Sequence, residues 1–331
     1  MRYFVTGATG FVGGQVARQL LERGDEVIAL ARDPARADKL VQLGASVHRG
    51  DITDRESMRD GMSGVGGVFH VAGWYVPGAR DRGPAVPVNV DGTRNVLELA
   101  HELAISRIVY TSTLAVNSDT RGQIVDEMYR YEGGAWLSEY DRTKWLAHYT
   151  VAEPMIQKGL PLVIVQPGMI YGPGDTGAMH RIFVQYLRGF WPIAPRQTAF
   201  CWGHVEDMAR GHLLAMDRGR LGETYIIAGP AHTLIDAFET GERITGIRAP
   251  RLRPGPAFFR TMEPFIAAIE DYVPLPEAFR SENVRISAGA TYLGRSDKAR
   301  RELGFAARSL EQGFRDWLPL ELELLRGQHR S

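Results

Sequence analysis

Tyr140 and Lys144 stand four residues apart in a segment whose pattern predicts a helix over 139–151, so the phenol and the ammonium share one face. A phenol ionises near pH ~10, too high for easy proton exchange at neutral pH. A neighbouring ammonium together with the positive ring of an oxidised nicotinamide cofactor would stabilise the phenolate and lower that value, which would make the pair a proton donor and acceptor. A predicted strand ending in three hydroxyls, Thr111-Ser112-Thr113, comes before them. A hydroxyl from Thr113 would hydrogen-bond the oxygen of a reacting group and turn it toward Tyr140. Tyr-x-x-x-Lys alone is also met as a surface pair on many helices, so its weight comes from what precedes it in the chain.

What precedes it is a glycine-rich opening. Gly7, Gly10 and Gly13 recur every third residue between a short apolar run, Tyr3-Phe4-Val5, and a predicted helix over 13–23. A strand that turns through glycines into a helix N-terminus is an anion site: backbone N–H groups point outward, the helix dipole favours negative charge, and glycine admits a pyrophosphate. Thr9, Phe11 and Val12 lie in the same turn. The spacing is Gly-x-x-Gly-x-x-Gly rather than the commoner Gly-x-Gly-x-x-Gly, so the strand before it and the helix after it carry the assignment. With a nicotinamide dinucleotide held there, the cofactor brings the hydride and the protein brings the proton and the geometry. Lys144 would also reach the nicotinamide ribose hydroxyls.

Strand patterns at 3–5, 26–31, 46–49, 67–71, 107–112 and 162–166 alternate with helical patterns at 13–23, 35–43, 55–62, 88–103 and 139–151. Repeated β-α units of this length predict an α/β fold, a Rossmann-type doubly wound parallel sheet with the nucleotide beyond the carboxyl ends of its strands. After Pro167 the texture changes, with prolines and glycines crowding 167–175, 192–195 and 248–256. We expect a dinucleotide-binding domain over 1–170 and a smaller C-terminal α+β substrate-binding lobe over 171–331, with segments near 205–228 returning to the main sheet.

The end of the second strand bears on the choice of dinucleotide. An acidic residue there would hydrogen-bond the ribose and repel a 2′-phosphate. Here Ala31 stands in that place and Arg32 follows, whose guanidinium can stack on adenine and fork onto a phosphate. NADP(H) is therefore the expected cofactor. Arg36 and Lys39 either extend that site or are solvated helix charges. Asp51, followed by Ile52, is placed to meet the adenine amino group or to serve as a turn aspartate.

Lys plus Arg and Asp plus Glu are 39 each in 331 residues, which argues against a nucleic-acid partner. Cys201 is the single cysteine, so no disulfide within the chain and no cysteine-rich metal site is expected. His148 has no second ligand at suitable spacing, and no metal is expected. No leader pattern and no apolar run of about 18 residues is present. A cytoplasmic protein acting on a small molecule, with no membrane partner, is the expectation.

The chain resembles the extended short-chain dehydrogenase/reductases, the NAD-dependent epimerase/dehydratase family. The resemblance rests on Thr6-Gly7-Ala8-Thr9-Gly10-Phe11-Val12-Gly13, His70-Val71-Ala72-Gly73, Asn89-Val90-Asp91-Gly92-Thr93 and Tyr140-x-x-x-Lys144. It continues through Pro167-x-x-Ile170-Tyr171-Gly172-Pro173-Gly174-Asp175, His204-Val205-Glu206-Asp207 and the segment 296–305, and so covers nearly the whole chain. It implies Tyr140 as general acid/base, Lys144 as its electrostatic partner, Thr113 as the third member and Asn89 as the residue shaping the site below the lysine. It implies Val71, Ala72 and Gly73 along the pyrophosphate and ribose, Thr111 among the cofactor-binding residues, Pro167 and Ile170 beside the nicotinamide, and a structural Asp207. It also implies a homodimer through the 89–103 and 140–151 helices. Gln166, where an arginine is common, and Ala147-His148, where Ala-Glu is usual, depart from the pattern.

Two branches of the family differ in substrate. Sugar-nucleotide epimerases and dehydratases often carry an arginine just before the His-Val-x-Asp segment, whereas here Ala199-Phe200-Cys201-Trp202-Gly203 stands there. The chain looks more like the dihydroflavonol-4-reductase branch, which acts on apolar or aromatic carbonyls. Trp74, Tyr75, Trp136, Met169, Tyr171, Phe183, Trp191 and Trp202 are then candidate pocket residues, each otherwise explained as core. The alternatives are an epimerase or dehydratase with Arg196, Arg251 or Arg253 on phosphates, and a non-catalytic dinucleotide-binding scaffold or redox sensor.

Overall fold

Near-continuous apolar runs build the inner strands of a sheet that is buried on both faces. The computed structural model describes residues 1–328. Strands β1 (Arg2–Thr6), β2 (Glu26–Ala31), β3 (Ser46–Arg49), β4 (Gly67–His70), β5 (Ile108–Thr111) and β6 (Leu162–Pro167) are all parallel. β7 (Met169–Tyr171) and β8 (Ala199–His204) leave this sheet for a second one, and β9 (Thr224–Ile227) returns to pair with β6. The order is β3-β2-β1-β4-β5-β6-β9, so the direction of winding reverses between β1 and β4. That switch opens a crevice at the carboxyl ends of the strands.

Alternate residues feed two cores. Val5, Ala29, Phe69, Val109 and Val165 pack under the helices Phe11–Glu22 and Val205–Arg218. Phe4, Ile28, Val68, Tyr110 and Ile164 pack under Gly92–Glu102 and the helix that starts at Glu139. Asp207 fixes the first of these layers, accepting hydrogen bonds from the backbone N–H and the guanidinium of Arg308 at 2.8 and 2.9 Å.

Helix boundaries depart from the 3.6-residue pattern at prolines. The expected helix over 88–103 begins as a π-turn, Pro87–Asp91, before becoming α at Gly92. The expected 139–151 helix is α over Glu139–Leu146, π over Ala147–Ala152 and α again over Glu153–Gln157. Pro154 brings no N–H donor, and the wider π ladder lies just before it. The 55–62 segment is a 3₁₀ turn, Glu56–Met58, and one short helix, Arg59–Met62.

The second sheet pairs β8 with β7, β10 (Ala231–Thr233) and β11 (Thr291–Tyr292). Every residue of β8 is buried. On one side lies an aromatic cluster of Tyr171, Phe183, Tyr186, Trp202, Phe238, Phe314 and Trp317. This corrects the expectation for Tyr171, Phe183 and Trp202. They are core beneath the helices Ala178–Leu187, Leu234–Thr245 and Leu310–Gln328, not pocket walls. On the other side the Cys201 thiol donates to the Gly294 carbonyl at 3.3 Å.

Candidate active site

The site is built on the switch point. Gly7 has φ +71°, and a Cβ there would lie 2.7 Å from the Ala72 nitrogen, so only glycine lets β1 turn against the end of β4. A Cβ at Gly13 would come within 2.2 Å of the Gly7 carbonyl oxygen, so the missing side chain seats the Phe11–Glu22 helix on that turn. Gly10 is the N-cap with no side-chain cap, and its own N–H donates to Gly7 O at 2.9 Å. Thr9, Phe11 and Val12 flank this open turn, half-exposed.

A relay of side chains stitches the strand ends together. The Thr6 hydroxyl accepts from the N–H groups of Val71 and Ala72, both at 3.1 Å, and lies 2.9 Å from His70 Nδ1. His70 Nε2 lies 3.0 Å from the Thr93 hydroxyl, which donates to the Asn89 carbonyl at 2.7 Å. Proton counting fixes the tautomer: Thr6 donates to Nδ1, and Nε2–H donates to Thr93. Burial pushes the imidazole down to about 3, so it stays neutral.

Asn89 continues the stitching. Its amide accepts from the Trp74 N–H at 2.7 Å and donates to the Trp74 carbonyl at 3.0 Å and the Thr143 hydroxyl at 2.9 Å. The loop carrying Val71, Ala72, Gly73 and Trp74 is thereby clamped to the helix that bears Tyr140.

That helix starts at the Ser138 N-cap, whose hydroxyl accepts from the Asp141 N–H at 3.2 Å. Tyr140 and Lys144 point from one face toward the end of β5. The Thr113 hydroxyl, which accepts from the Ala115 N–H at 3.2 Å, stands close enough to the Tyr140 phenol to favour its ionised form. Lys144 is buried; its Nζ donates to the Thr111 carbonyl at 2.8 Å and to Tyr110 Oη at 3.3 Å, and sits 4.8 Å from the Tyr110 ring centre. Among the described residues no carboxylate pairs with it. Burial pulls its ammonium down to about 7.

The chain's own groups do not by themselves lower the phenol. Burial holds Tyr140 well above the ordinary tyrosine value, with the neighbouring Thr113 hydroxyl opposing it, because the ammonium is engaged by Thr111 and Tyr110 rather than by the phenol. The result is a phenol kept protonated at neutral pH. Tyr75 packs edge-on against the Tyr140 ring, with centres 4.7 Å apart.

Other expected residues fall around this centre. Pro167 ends β6, buried, and half-buried Ile170 packs with Val71 on the first core. Thr111 turns its hydroxyl away, 2.9 Å from His212 Nε2, and offers the site only its carbonyl. The Ser112 hydroxyl lies 2.8 Å from Nδ1 of His148, in the π segment that continues the helix bearing Tyr140 and Lys144. Arg32 is exposed and has no acidic partner among the described residues, because Asp33 instead caps Ala35 N–H at 3.2 Å. Arg36 and Lys39 are also exposed. Asp51 closes a turn on the Thr53 N–H at 3.0 Å, and Ile52 is buried with its carbonyl on Asn95 Nδ2.

Two carboxylates at the site carry no sequence signal. Glu282, buried, accepts from Gly78 N–H at 2.7 Å and from Glu139 N–H at 3.0 Å, tying the helix Ser281–Ser287 to the start of the catalytic helix. Asp141, next to the phenol, accepts from Ser138 Oγ at 2.7 Å and Tyr292 Oη at 2.9 Å, and burial raises it to about 7. Their partners come from 78 and 292, distances along the chain that no local pattern spans.

The model of the NAD dependent epimerase/dehydratase family matches residues 3–228. The chain belongs to that family. The matched region ends at β9, the last strand of the main sheet. Similar proteins are a Synechocystis sp. protein provisionally named dihydroflavonol 4-reductase, 35% identical over 327 residues (95% of this chain, 92% of that one), and sterol demethylase protein B of Methylococcus capsulatus, 32% identical over 333 residues (96% and 97%). The crystal structure of gox2253 superposes with a TM-score of 0.85 at 28% identity, covering 98% of both chains. The family's cofactor is a nicotinamide dinucleotide, and the residues present fit one. The cradle at Gly7 and Gly13 would be filled by a Cβ, the buried Lys144 ammonium has a third N–H beyond its two partners, and Arg32 has no acidic partner among the described residues.

Proposed function

We propose that this protein is an NADP(H)-dependent reductase of a carbonyl on a small apolar or aromatic molecule, with Tyr140 as proton donor. The observation that carries this reading is a cluster at the end of β5: a half-buried phenol beside the buried Thr113 and, one helical turn away, the buried Lys144 Nζ held by the Thr111 carbonyl with no carboxylate partner among the described residues. The dinucleotide supplies the hydride when bound. The Tyr140 and Thr113 hydroxyls would converge on the carbonyl oxygen, hold it, and stabilise the charge that grows there. The proton then moves from Tyr140 Oη to that oxygen. Lys144, held by Thr111 O, would turn its free N–H toward the ribose and favour the phenolate left behind.

Arg32 supports the NADP(H) choice: a guanidinium at the end of β2 with no acidic partner among the described residues, and no acid at Ala31, suits a 2′-phosphate. Tyr75 supplies apolar surface against the phenol, and Trp74, Trp136, Met169 and Trp191 are half-buried, leaving part of each ring or chain accessible to a ligand. The reductases among the similar proteins favour this direction over epimerisation. We place the protein in the cytoplasm as a homodimer through the 89–103 and 140–151 helices. The face they would bring together carries Arg94, His101 and the Arg55–Glu102 and Arg59–Glu102 pairs, so the contact would be polar and salt-sensitive.

The test follows nicotinamide absorbance with a panel of aldehydes, ketones and nucleotide sugars, using NADPH and NADH. Net NADPH oxidation with aromatic or apolar carbonyls, a loss of about 10²-fold or more in Tyr140→Phe, and a raised KM for NADPH alone in Arg32→Ala are expected. Equal turnover by Tyr140→Phe would overturn the assignment of the proton donor.

A further inference from the structure

The helix Pro256–Ile269 is built of Phe258, Phe259, Met262, Phe265, Ile266 and Ile269 among small residues, yet Phe259 is its only buried side chain. Phe258, Met262, Phe265 and Ile269 follow the spacing of one helical face, and that face is open. Phe265 is 66% exposed, and Tyr272, just beyond the helix, is 88% exposed. Such a contiguous apolar strip on the outside of a folded chain marks a contact with something.

Charge around the strip identifies the contact. The acids beside it are neutralised within the fold: Glu263 by Arg285, Glu270 and Asp271 by Arg280, and Glu277 by Arg181. Arg248, Arg251 and Arg260 have no acidic partner among the described residues. Arg248 and Arg251, with Arg253 and Glu242, line a cleft of about 430 Å³ in the segment leading into the helix. An apolar face with aromatic rings, on a helix whose polar side carries the unpaired Arg260 and whose incoming segment carries the unpaired Arg248 and Arg251, has the make-up of a helix that lies in a bilayer interface with its arginines available to anionic headgroups. A second copy meeting this face by two-fold symmetry would set like charges against each other.

We propose that the face formed by Phe258, Met262, Phe265, Ile269 and Tyr272 docks on an anionic lipid surface, making this a peripheral membrane protein. No helix of the structure is long and apolar enough to cross a membrane among the described residues, and a helix lying flat needs no such length. The proposal departs from the expectation of no membrane partner, which rested on the lack of a spanning segment. The helix is also one contact from the catalytic segment. Arg285 joins Glu263 at 2.6 Å to the carbonyls of Trp136 and Leu137 at 3.3 and 3.1 Å, immediately before the Ser138 cap. Docking therefore sets the entrance of the candidate site near the lipid, where an apolar substrate would be concentrated.

The experiment is co-sedimentation of the full chain with vesicles of phosphatidylcholine alone or mixed with phosphatidylglycerol. It reads partition rather than turnover, so it stands apart from the reductase assignment. Binding to the mixed vesicles that weakens with salt is expected. It should fall roughly tenfold or more in Phe265→Glu/Ile269→Glu, and fall on anionic vesicles in Arg248→Gln/Arg251→Gln/Arg260→Gln. Both variants alter exposed residues, and an unchanged thermal midpoint and dinucleotide affinity would confirm that they fold. Failure of the wild-type chain to sediment with any vesicle overturns the proposal. So does a dimer that Phe265→Glu/Ile269→Glu dissociates without any vesicle binding, which would give the face to a second copy.

Discussion

Gly13→Ala sets two effects of opposite sign against each other. In an ordinary helix interior, alanine is favoured over glycine by about 1 kcal/mol. At this position the new Cβ would sit 2.2 Å from the Gly7 oxygen, 2.6 Å from the Gly7 carbonyl carbon and 3.1 Å from the Ala8 nitrogen, all backbone atoms. Real Cβ atoms essentially never approach within 3.0 Å, so helix and turn must separate by at least about 0.8 Å. Overpacking of this kind costs about 1–3 kcal/mol, enough to cancel or exceed the propensity gain. The same movement carries the first-turn N–H groups away from any bound pyrophosphate, stretching ~2.9 Å hydrogen bonds beyond useful length. Dinucleotide affinity should fall at least tenfold, about 1.4 kcal/mol. Gly14→Ala is the control, because its Cβ would meet the Ala8 oxygen at 3.2 Å, a tight contact that a small shift relieves. Fluorescence titration with NADPH and thermal unfolding of both variants decide the matter. A Gly13→Ala protein that binds NADPH as tightly as the wild type and melts no lower would refute the reasoning.

Two pH effects follow from burial. Lys144, pulled down to about 7, is largely neutral at pH ~8 in the free protein, and an anionic dinucleotide beside it favours the charged form. NADPH binding at that pH should therefore take up a proton. Calorimetry in two buffers of different ionisation enthalpy measures it, and uptake that persists in Lys144→Met assigns it elsewhere. Asp141 is raised from 3.8 to about 7, so between those values the folded chain holds a proton that the unfolded chain has lost. Its contribution to stability is present in full below the lower value and lost as pH rises through the upper one, on the order of a few kcal/mol at most. Asp141→Asn should flatten the fall of the thermal midpoint across that window, and parallel curves for the two proteins would exclude Asp141 as its source.

Legibility in the sequence followed the range of the interactions. The strands that open the chain were readable because most are short apolar runs closed by a turn, and β3, Ser46–Arg49, because it falls in the same alternation with helices. The glycine turn was readable because its three positions are local. The Tyr140–Lys144 spacing placed both groups on one face, as observed. The π segments at 87–91 and 147–152 were not readable, because one extra residue per turn barely changes an apolar pattern over so short a stretch. Nor could composition separate pocket aromatics from core ones: Trp202 and Tyr171 are fully buried on β8 and β7, whereas Tyr75 lies against the phenol. The Thr6–His70–Thr93 relay joins three elements, and its histidine is legible only as part of a motif until the register Thr6↔His70 sets the partners side by side. The state of the Tyr140 phenol in the chain without a bound dinucleotide was not legible for the same reason. The sequence places an ammonium near the phenol but not the Thr111 carbonyl that holds that ammonium elsewhere.

The late return of the chain to its first sheet restricts how this molecule can be divided. The helix Val205–Arg218 roofs the Phe11–Glu22 layer, and β9 completes the edge beside β6, though both are reached only after the excursion through β7 and β8. A fragment cut after residue 170 would leave Val163, Val165 and their neighbours facing water and a strand edge unpaired. The halves are thus not exchangeable cassettes. Any natural or engineered change of specificity has to be made by resculpting segments hung from a continuous frame, not by grafting one half onto another.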